Sequence, residues 1–449
     1  MTTAPIGAVK RARRSLARLS RRLGLRPPLP GAPTAAPLPL APQISLVKEY
    51  ATPVERRGGI SRVRLRLSVP TPPADSERVQ FAEHAQGRTV VALGAGFALQ
   101  SDDLGRGWMR HPLPIETEAV GCFTTASGAR LVATAAQAAP EGDATRAWVH
   151  RFGADWRADG DALAVSAPWH GSASIGEKDG VVMFAEYPDN AAKYGRKPLE
   201  SLSPVERVVV PARVWRSRDD GRTWENVFTA SPETVRHLHT LVPDPAVARR
   251  WWLSSGDRSE EVFVWRSDDD GDTWTDVTCP APEIAVHSSF ARRARACQRM
   301  TDLVFHDGWM IWGADDWLGN AQRFGTDDRP PVGSRIYRAR TEGPFVPEEI
   351  GYCGFPVRSV VDVGPAWLFV TEAKSVRLGA RPEAHLVFKD ETDRVHRLAQ
   401  IDNYALSGTG FTYSVASRVT TDGVFFTRRA TGDAFNSKTC VLRWEIAFD

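Results

Sequence analysis

Cysteine is scarce in this chain: five residues among 449, Cys122, Cys279, Cys297, Cys353 and Cys440, with no CxxC spacing. That excludes a disulfide scaffold and a Cys-based zinc site, and predicts buried free thiols in a reducing compartment. Long apolar runs are also missing. No stretch approaches the roughly 18 residues a membrane helix needs, so no spanning segment is expected. The first 48 residues hold no carboxylate at all, yet nine of the 57 basic residues lie there. From Glu49 onward 48 basic residues face 54 acidic ones. A mildly acidic body argues against nucleic acid as the partner.

The basic start carries Leu16, Leu19 and Leu23 at helical spacing among arginines. Residues 8–25 therefore fit a helix lying on an anionic membrane surface, an organelle transit peptide or a disordered basic tail. No apolar core follows the charges, which counts against a secretory signal, and the expectation is a cytoplasmic chain, peripheral at the inner membrane surface. Residues 27–43, rich in proline, read as an extended linker. The domain reading is residues 1–44 as tail plus linker and 45–449 as one fold.

What the sequence has in place of these features is a repeated turn. Ser217-Arg218-Asp219-Asp220-Gly221-Arg222-Thr223-Trp224 recurs as Ser267-Asp268-Asp269-Asp270-Gly271-Asp272-Thr273-Trp274, and a worn copy stands at Ser101-Asp102-Asp103-Leu104-Gly105-Arg106-Gly107-Trp108. Ser and Asp oxygens can bond loop amides, Gly can take φ > 0, and Trp re-enters a sheet as an anchor. Around the second copy, strands near 235–242, 251–255, 262–266 and 274–277 make one four-stranded antiparallel unit. Comparable units near 78–113, 119–158, 169–228, 297–348, 355–401 and 410–449 bring the count to seven. The last is one strand short. Val63, Leu65, Leu67 and Val69, alternating with Arg62, Arg64, Arg66 and Ser68, form a half-exposed strand that could complete it and close the ring.

These octets resemble the Asp boxes of the sialidase-type, bacterial neuraminidase repeat β-propellers. The resemblance implies an all-β propeller, which the unit count makes seven-bladed, or six-bladed, as in true sialidases, if 119–158 is an irregular insertion. It also implies box turns between third and fourth strands, on the face away from the site, with Asp219 and Asp269 structural and Trp108, Trp224 and Trp274 in the core. The sequence has no F/Y-R-I-P segment and no transferable Tyr/Glu nucleophile pair.

Antiparallel order then puts the second-to-third loops and the starts of first strands on the opposite face. Second strands end on acids: Glu186, Asp257, Asp315 with Asp316, Glu372 and Asp433. Counted from Trp251 and Trp309, Asp257 and Asp315 are equivalent. Two carboxylates across a pocket are what glycosidic cleavage uses. The first-strand starts supply His170, Arg236, His237, His239, Arg299 and Arg358. His237 falls in register with Arg299, while the three arginines do not share a register. His237 and His239, two apart, face one way with Arg236 opposite. Two imidazoles fit a base, an acid or a metal pair; a metal would need Asp257 as third ligand, and neither metal nor cofactor is expected. Arginine forks match a carboxylate, and a structural ion pair of Arg299 with Asp257 or Asp315 is the competing reading. Long loops at 187–212 (Tyr187, Tyr194, Arg196, Lys197) and 316–334 (Trp317, Asn320, Gln322, Arg323) supply pocket walls.

The expectation is a monomer acting on an acidic oligo- or polysaccharide. The catalytic set is His237, Asp257 and Asp315, and the binding set is Arg236, His239, Arg299, Arg358, Glu372 and His170. A sialidase-like hydrolase is the first reading. The others are a lyase on a uronate glycan and a non-catalytic glycan- or protein-binding propeller.

Overall fold

In the computed structural model the described residues are 38–40, 44–57, 60–70, 81–84, 87–94, 96–138, 145–194, 198–256, 261–279, 295–315, 335–353, 356–371, 383–389, 395–400, 413–416, 422–431 and 438–449. They form a seven-bladed β-propeller. Among them no helix exceeds four residues, and none is long and apolar enough to cross a membrane.

Blade 1 runs Phe81–His84, Val90–Gly94, Phe97–Ser101 and Trp108–Pro112 from the inside outward. Blade 2 has Ala119–Thr124, Arg130–Thr134 and Thr145–Phe152, the last paired with both Gln137–Ala138 and Leu163–Val165. Blades 3 and 4 are plain four-stranded meanders: Ile175–Lys178, Val181–Ala185, Ala212–Ser217 and Glu225–Ala230, then Leu238–Pro243, Trp251–Ser255, Val264–Ser267 and Thr275–Asp276. Blades 5 and 6 repeat them with Met300–His306, Trp309–Ala314, Arg335–Arg340 and Glu348–Tyr352, then Val357–Asp362, Ala366–Thr371, Glu383–Phe388 and Val395–Gln400.

Blade 7 is built from both ends of the sequence. Tyr413–Ala416, Val424–Thr431 and Lys438–Phe448 are followed outward by Ile60–Pro70 and Ile44–Arg57. Val63 lies opposite Phe448 and Leu65 opposite Ile446. Val63 and Leu65 are buried while Arg62, Arg64 and Arg66 are exposed, as the alternation predicts. The sequence marks no strand before residue 60, yet Ile44–Arg57 pairs with Ile60–Pro70 as the outermost strand, where Pro53 is tolerated beside a break in register. Leu38–Leu40, within the proline-rich stretch, pairs with Trp108–Arg110 of blade 1.

The core follows from the stacking of blades. Second strands such as Val90–Gly94, Val181–Ala185 and Ala366–Thr371 are buried along their whole length, because each lies between two neighbouring sheets. The buried apolar side chains fall into seven clusters among the described residues. Each draws on two adjacent blades, including a cluster that joins blade 7 to blade 1 through Phe426, Val424, Val90 and Leu99. Gly313 shows how tight one contact is: a Cβ there would stand 2.2 Å from the Val357 side chain of blade 6. Cys122, Cys297 and Cys353 are buried, and Cys279 is half-buried.

The three box turns close on one hydrogen-bond scheme. Gly221 N–H donates to Ser217 Oγ (2.8 Å), Ser217 Oγ donates to Asp219 Oδ1 (2.8 Å), and Thr223 gives its N–H and hydroxyl to the same carboxylate (2.8 and 2.7 Å). The 267–274 turn repeats all four, at 2.6–2.9 Å. In the worn copy the N–H groups of Arg106 and Gly107 serve Asp103. Burial raises the carboxyl pKa of Asp219 and Asp269, but these hydrogen bonds outweigh it and hold both below the usual 3.8. Trp108 is core; Trp224 and Trp274 are only half-buried, packed at the edge of the inter-blade clusters rather than inside them.

Each box also receives an arginine from the preceding blade. Leu104, Asp220 and Asp270, before the box glycine, have φ of 59°, 64° and 59°, which turns their carbonyls out of the ladder. Arg443, Arg151 and Arg216, all buried on third strands, donate to those three carbonyls in turn. A carbonyl withdrawn from the sheet must find a donor, and here the donor ties one blade to the next.

Candidate functional site

With the box turns on one face, the loops after second strands and the segments leading into first strands lie on the other. A cavity of about 290 Å³ opens there between blades 2 and 3. Its walls come from the loop after Thr134, from residues 166–171 and from the long insertion of blade 3. His170, Tyr187 and Asp189 are among the polar residues that line it.

A column of aromatic rings runs from this cavity toward blade 4. Tyr187 lies between His170 (centroids 4.3 Å, interplanar 22°) and His237 (3.8 Å, 18°), and His239 follows at 4.9 Å from His237. Backbone geometry sets the column. Tyr187 N–H donates to Pro168 O (2.9 Å), which fixes the ring just past the second strand of blade 3. Gly171, at φ 75°, turns the chain into the Ser172–Ser174 helical turn. Ser174 Oγ lies in hydrogen-bond contact with both His170 O and His239 O, joining blade 3 to blade 4. His170 and Tyr187 are half-buried on the cavity, whereas His237 and His239 are 1% and 2% exposed. A molecule in the cavity meets His170 and Tyr187; His237 backs the phenol ring.

The arginines divide into two places. Arg236 grips Asp189 with Nε on the backbone carbonyl (2.8 Å) and Nη2 on Oδ1 (2.6 Å), at the edge of the cavity, with its side chain 22% exposed. Arg299 and Arg358 both donate to Asp315 Oδ2 (3.1 and 2.9 Å), with side chains 8% and 7% exposed. Arg299 Nε also donates to Gly256 O (3.0 Å), so this cluster clips blade 4 to blade 5 and blade 5 to blade 6. The ion pair of Arg299 with Asp315, the competing reading, is present.

Register corrects one equivalence drawn from sequence. Leu253 opposite Leu241 corresponds to Trp312 opposite Leu303, so Trp251 aligns with Met310 and Asp315 aligns with Gly256, not with Asp257. The count from Trp251 and Trp309 slips by one because the two strands begin after hairpins of different length. His237 does share its register with Arg299, each preceding the first paired residue of its strand. Asp257, Asp316, Glu372 and Asp433, with Arg196, Lys197, Trp317, Asn320, Gln322, Arg323 and the 8–25 segment, lie outside the described residues.

Glu186 is fully buried. It accepts from the N–H groups of Ser166 and Arg213 and from the Trp215 indole, at 2.9–3.2 Å. Burial pushes its carboxyl above the usual 4.5, against the pull of those donors and of nearby Arg213. It acts as a clamp between blades 2 and 3 beneath the cavity. Asn190, Asp189 and Trp169 escaped the sequence reading. The only local sign of the first two is a Pro-Asp-Asn turn, common in any loop, and Trp169 is one of 15 tryptophans.

No family model matches this chain, and no curated protein does. Solved structures similar to it include a streptogramin B lyase, at 10% identity over 86% of this chain and 98% of that one, with a TM-score of 0.48. An ancestral GH74 enzyme matches at 10% identity over 89% and 51%, with a TM-score of 0.45. The WD40 β-propeller domain of Doa1 matches at 9% over 84% and 96%, with a TM-score of 0.43. Likeness at these levels assigns no activity. The chain is a seven-bladed β-propeller.

Proposed function

We propose that this propeller acts on an acidic saccharide on the loop face, by elimination of the lyase type rather than by hydrolysis. The observation that carries the reading is the ring column, which puts an imidazole and a phenol side by side on an open cavity. Those groups transfer protons near neutral pH. Hydrolysis by the usual route needs two carboxylates facing one bond. Of the carboxylates near the cavity and the arginines, Glu186 is sealed in its clamp, Asp315 is shared by two guanidiniums and Asp189 is held by Arg236.

In the elimination, His170 removes the proton on the carbon next to a uronate carboxylate. The C–H electrons form the new C=C bond, the bond from the adjacent carbon to the glycosidic oxygen breaks, and Tyr187 O–H protonates that oxygen as it leaves. Arg236, the most exposed of the three arginines, faces the carboxylate as negative charge builds. His237 positions Tyr187 by stacking.

The test is incubation of the full chain with uronate polysaccharides and a sialylated glycoprotein, reading near-ultraviolet absorbance and new reducing ends together. Absorbance should rise with reducing ends on a uronate polymer, and Tyr187→Phe should cut that rate roughly a hundredfold. Reducing ends without absorbance would mean hydrolysis. No product, with calorimetric binding retained, would mean a binding propeller.

A further inference from the structure

The interior of the cavity between blades 2 and 3 has a chemistry unlike its mouth. Most of the residues in its wall are apolar, among them Val120, Ala135, Trp169, Pro188, Val208 and Val210. The polar side chains Thr145, Ser166 and Asn190 in that wall are already committed to the protein, while the Trp169 indole N–H is buried there without a hydrogen-bond partner among the described residues. Thr145 Oγ1 donates to Ser166 O (2.8 Å), and Ser166 Oγ accepts from Arg213 Nη1 (2.8 Å). Asn190 Nδ2 donates to Val210 O (2.9 Å) and Arg236 O (2.8 Å), and Asn190 Oδ1 accepts from Val210 N–H (2.9 Å).

Asn190 also explains why the cavity persists. The residue is buried, sits at φ 47°, and ties the beginning of the blade 3 insertion to its end. Farther along, Ser203 and Glu206 close a reciprocal cap on Pro204–Arg207, and Lys193 pairs with Glu233 of the loop leading into blade 4. An insertion pinned at both ends holds its apolar side chains open without a ligand, which reduces the ordering cost of binding. A volume of about 290 Å³ is near the lower end of ligand clefts, enough for one ring and too small for a run of sugars.

We propose that this cavity binds a compact, neutral, mainly apolar ring, of about six to ten non-hydrogen atoms, with one polar substituent directed to His170 and Tyr187 at the mouth. A bare sugar ring fits the interior poorly, since most of its hydroxyls would lose water and meet only the Trp169 N–H unengaged, so a saccharide reaching His170 and Tyr187 would lie across the mouth. An apolar ring loses only its contact with water. The proposal stands whether or not the face performs elimination.

Indole serves as the ring probe and glucose as the sugar probe, with the full chain, followed by ligand-observed NMR and calorimetry. Indole should bind, glucose should not displace it, and Ala135→Phe should weaken indole at least tenfold by filling the space. Ala136→Leu, a milder filling of the same wall, should weaken it in the same direction, and unchanged melting of either variant shows that the fold is intact. Absence of indole binding to the native chain, displacement by glucose, or undiminished indole affinity in both folded variants would overturn the proposal.

Discussion

After the third strands, three segments far apart in sequence close on the same hydrogen bonds, and Ser101, Ser217 and Ser267 each receive the N–H of a left-handed glycine. On the opposite face, one shared backbone position, just before the first paired residue of a strand, is His237 in blade 4, Arg299 in blade 5 and Pro356 in blade 6. The first region repeats because each of these three blades faces the same problem there: a tight turn whose amides must be satisfied and whose displaced carbonyl needs a donor from the preceding sheet. The second diverges although its backbone repeats, down to a bulge in the first strands of blades 2, 4, 5 and 6. Divergence on a constant scaffold is how one architecture hosts unrelated sites.

That contrast can be broken most forcefully at the arginines joining blades on the box face. Arg216→Met strands the Asp270 carbonyl and removes the nearest cation from Glu225 and Asp272, which should cost about 2–3 kcal/mol. Denaturant unfolding measures it, and indole affinity of the folded variant should not change. A loss of indole binding without loss of stability would invert the assignment of the two faces.

A smaller effect is expected within the turn itself. Asp269→Ala removes the acceptor for Ser267 and for both donors of Thr273, at a half-buried site, and should cost about 1–2 kcal/mol. The equivalent Asp103→Ala in the worn copy should cost less, since no threonine hydroxyl is present at Gly107. Equal losses at the two sites would show that the threonine contributes nothing.

The smallest effect sharpens the comparison through pH. Glu186, on the loop side, has a folded pKa raised above 4.5, so its favourable contribution is complete below 4.5 and fades as pH rises through the raised value. Asp219 and Asp269 have folded values below 3.8, so theirs is present above 3.8 and fades as pH falls through the lowered values. Acidification from neutrality toward 4.5 should therefore stabilise through Glu186, and further acidification should destabilise through the boxes. Glu186→Gln should reduce the first limb, which Glu177 shares, and Asp219→Asn should reduce the second, which Asp103, Asp220 and Asp269 share, in unfolding curves taken across pH. A first limb unchanged by Glu186→Gln would mean that another group sets it.

Much of the scaffold was legible in the chain because its signals are local. The serine-to-tryptophan octets contain both the oxygens and the amides they bond, and Val63 and Leu65 carry their alternation in neighbouring residues. The seven units and the closure of the ring follow from those signals. Ile44–Arg57 was not legible, since an outermost strand with one solvated side has weak patterning and Pro53 disguises it. The site was visible only as a set of candidates. The alignment of Asp257 with Asp315 failed by one residue because hairpin length, which shifts a register, leaves no trace in residue counts taken between aromatics.

By itself, then, the amino-acid sequence determined that this protein is a ring of antiparallel blades, which end of the three boxed blades carries the repeated turn, and which loops share the opposite face. Those properties rest on period-2 patterning and turn chemistry, both spent within a few residues. Only the tertiary structure decided that Tyr187 is stacked between His170 and His237, that Asp315 is claimed by arginines of two blades, and that Arg216 reaches the carbonyl of Asp270. Such contacts depend on how neighbouring sheets twist and pack, and their partners lie tens of residues apart with no fixed spacing to mark them.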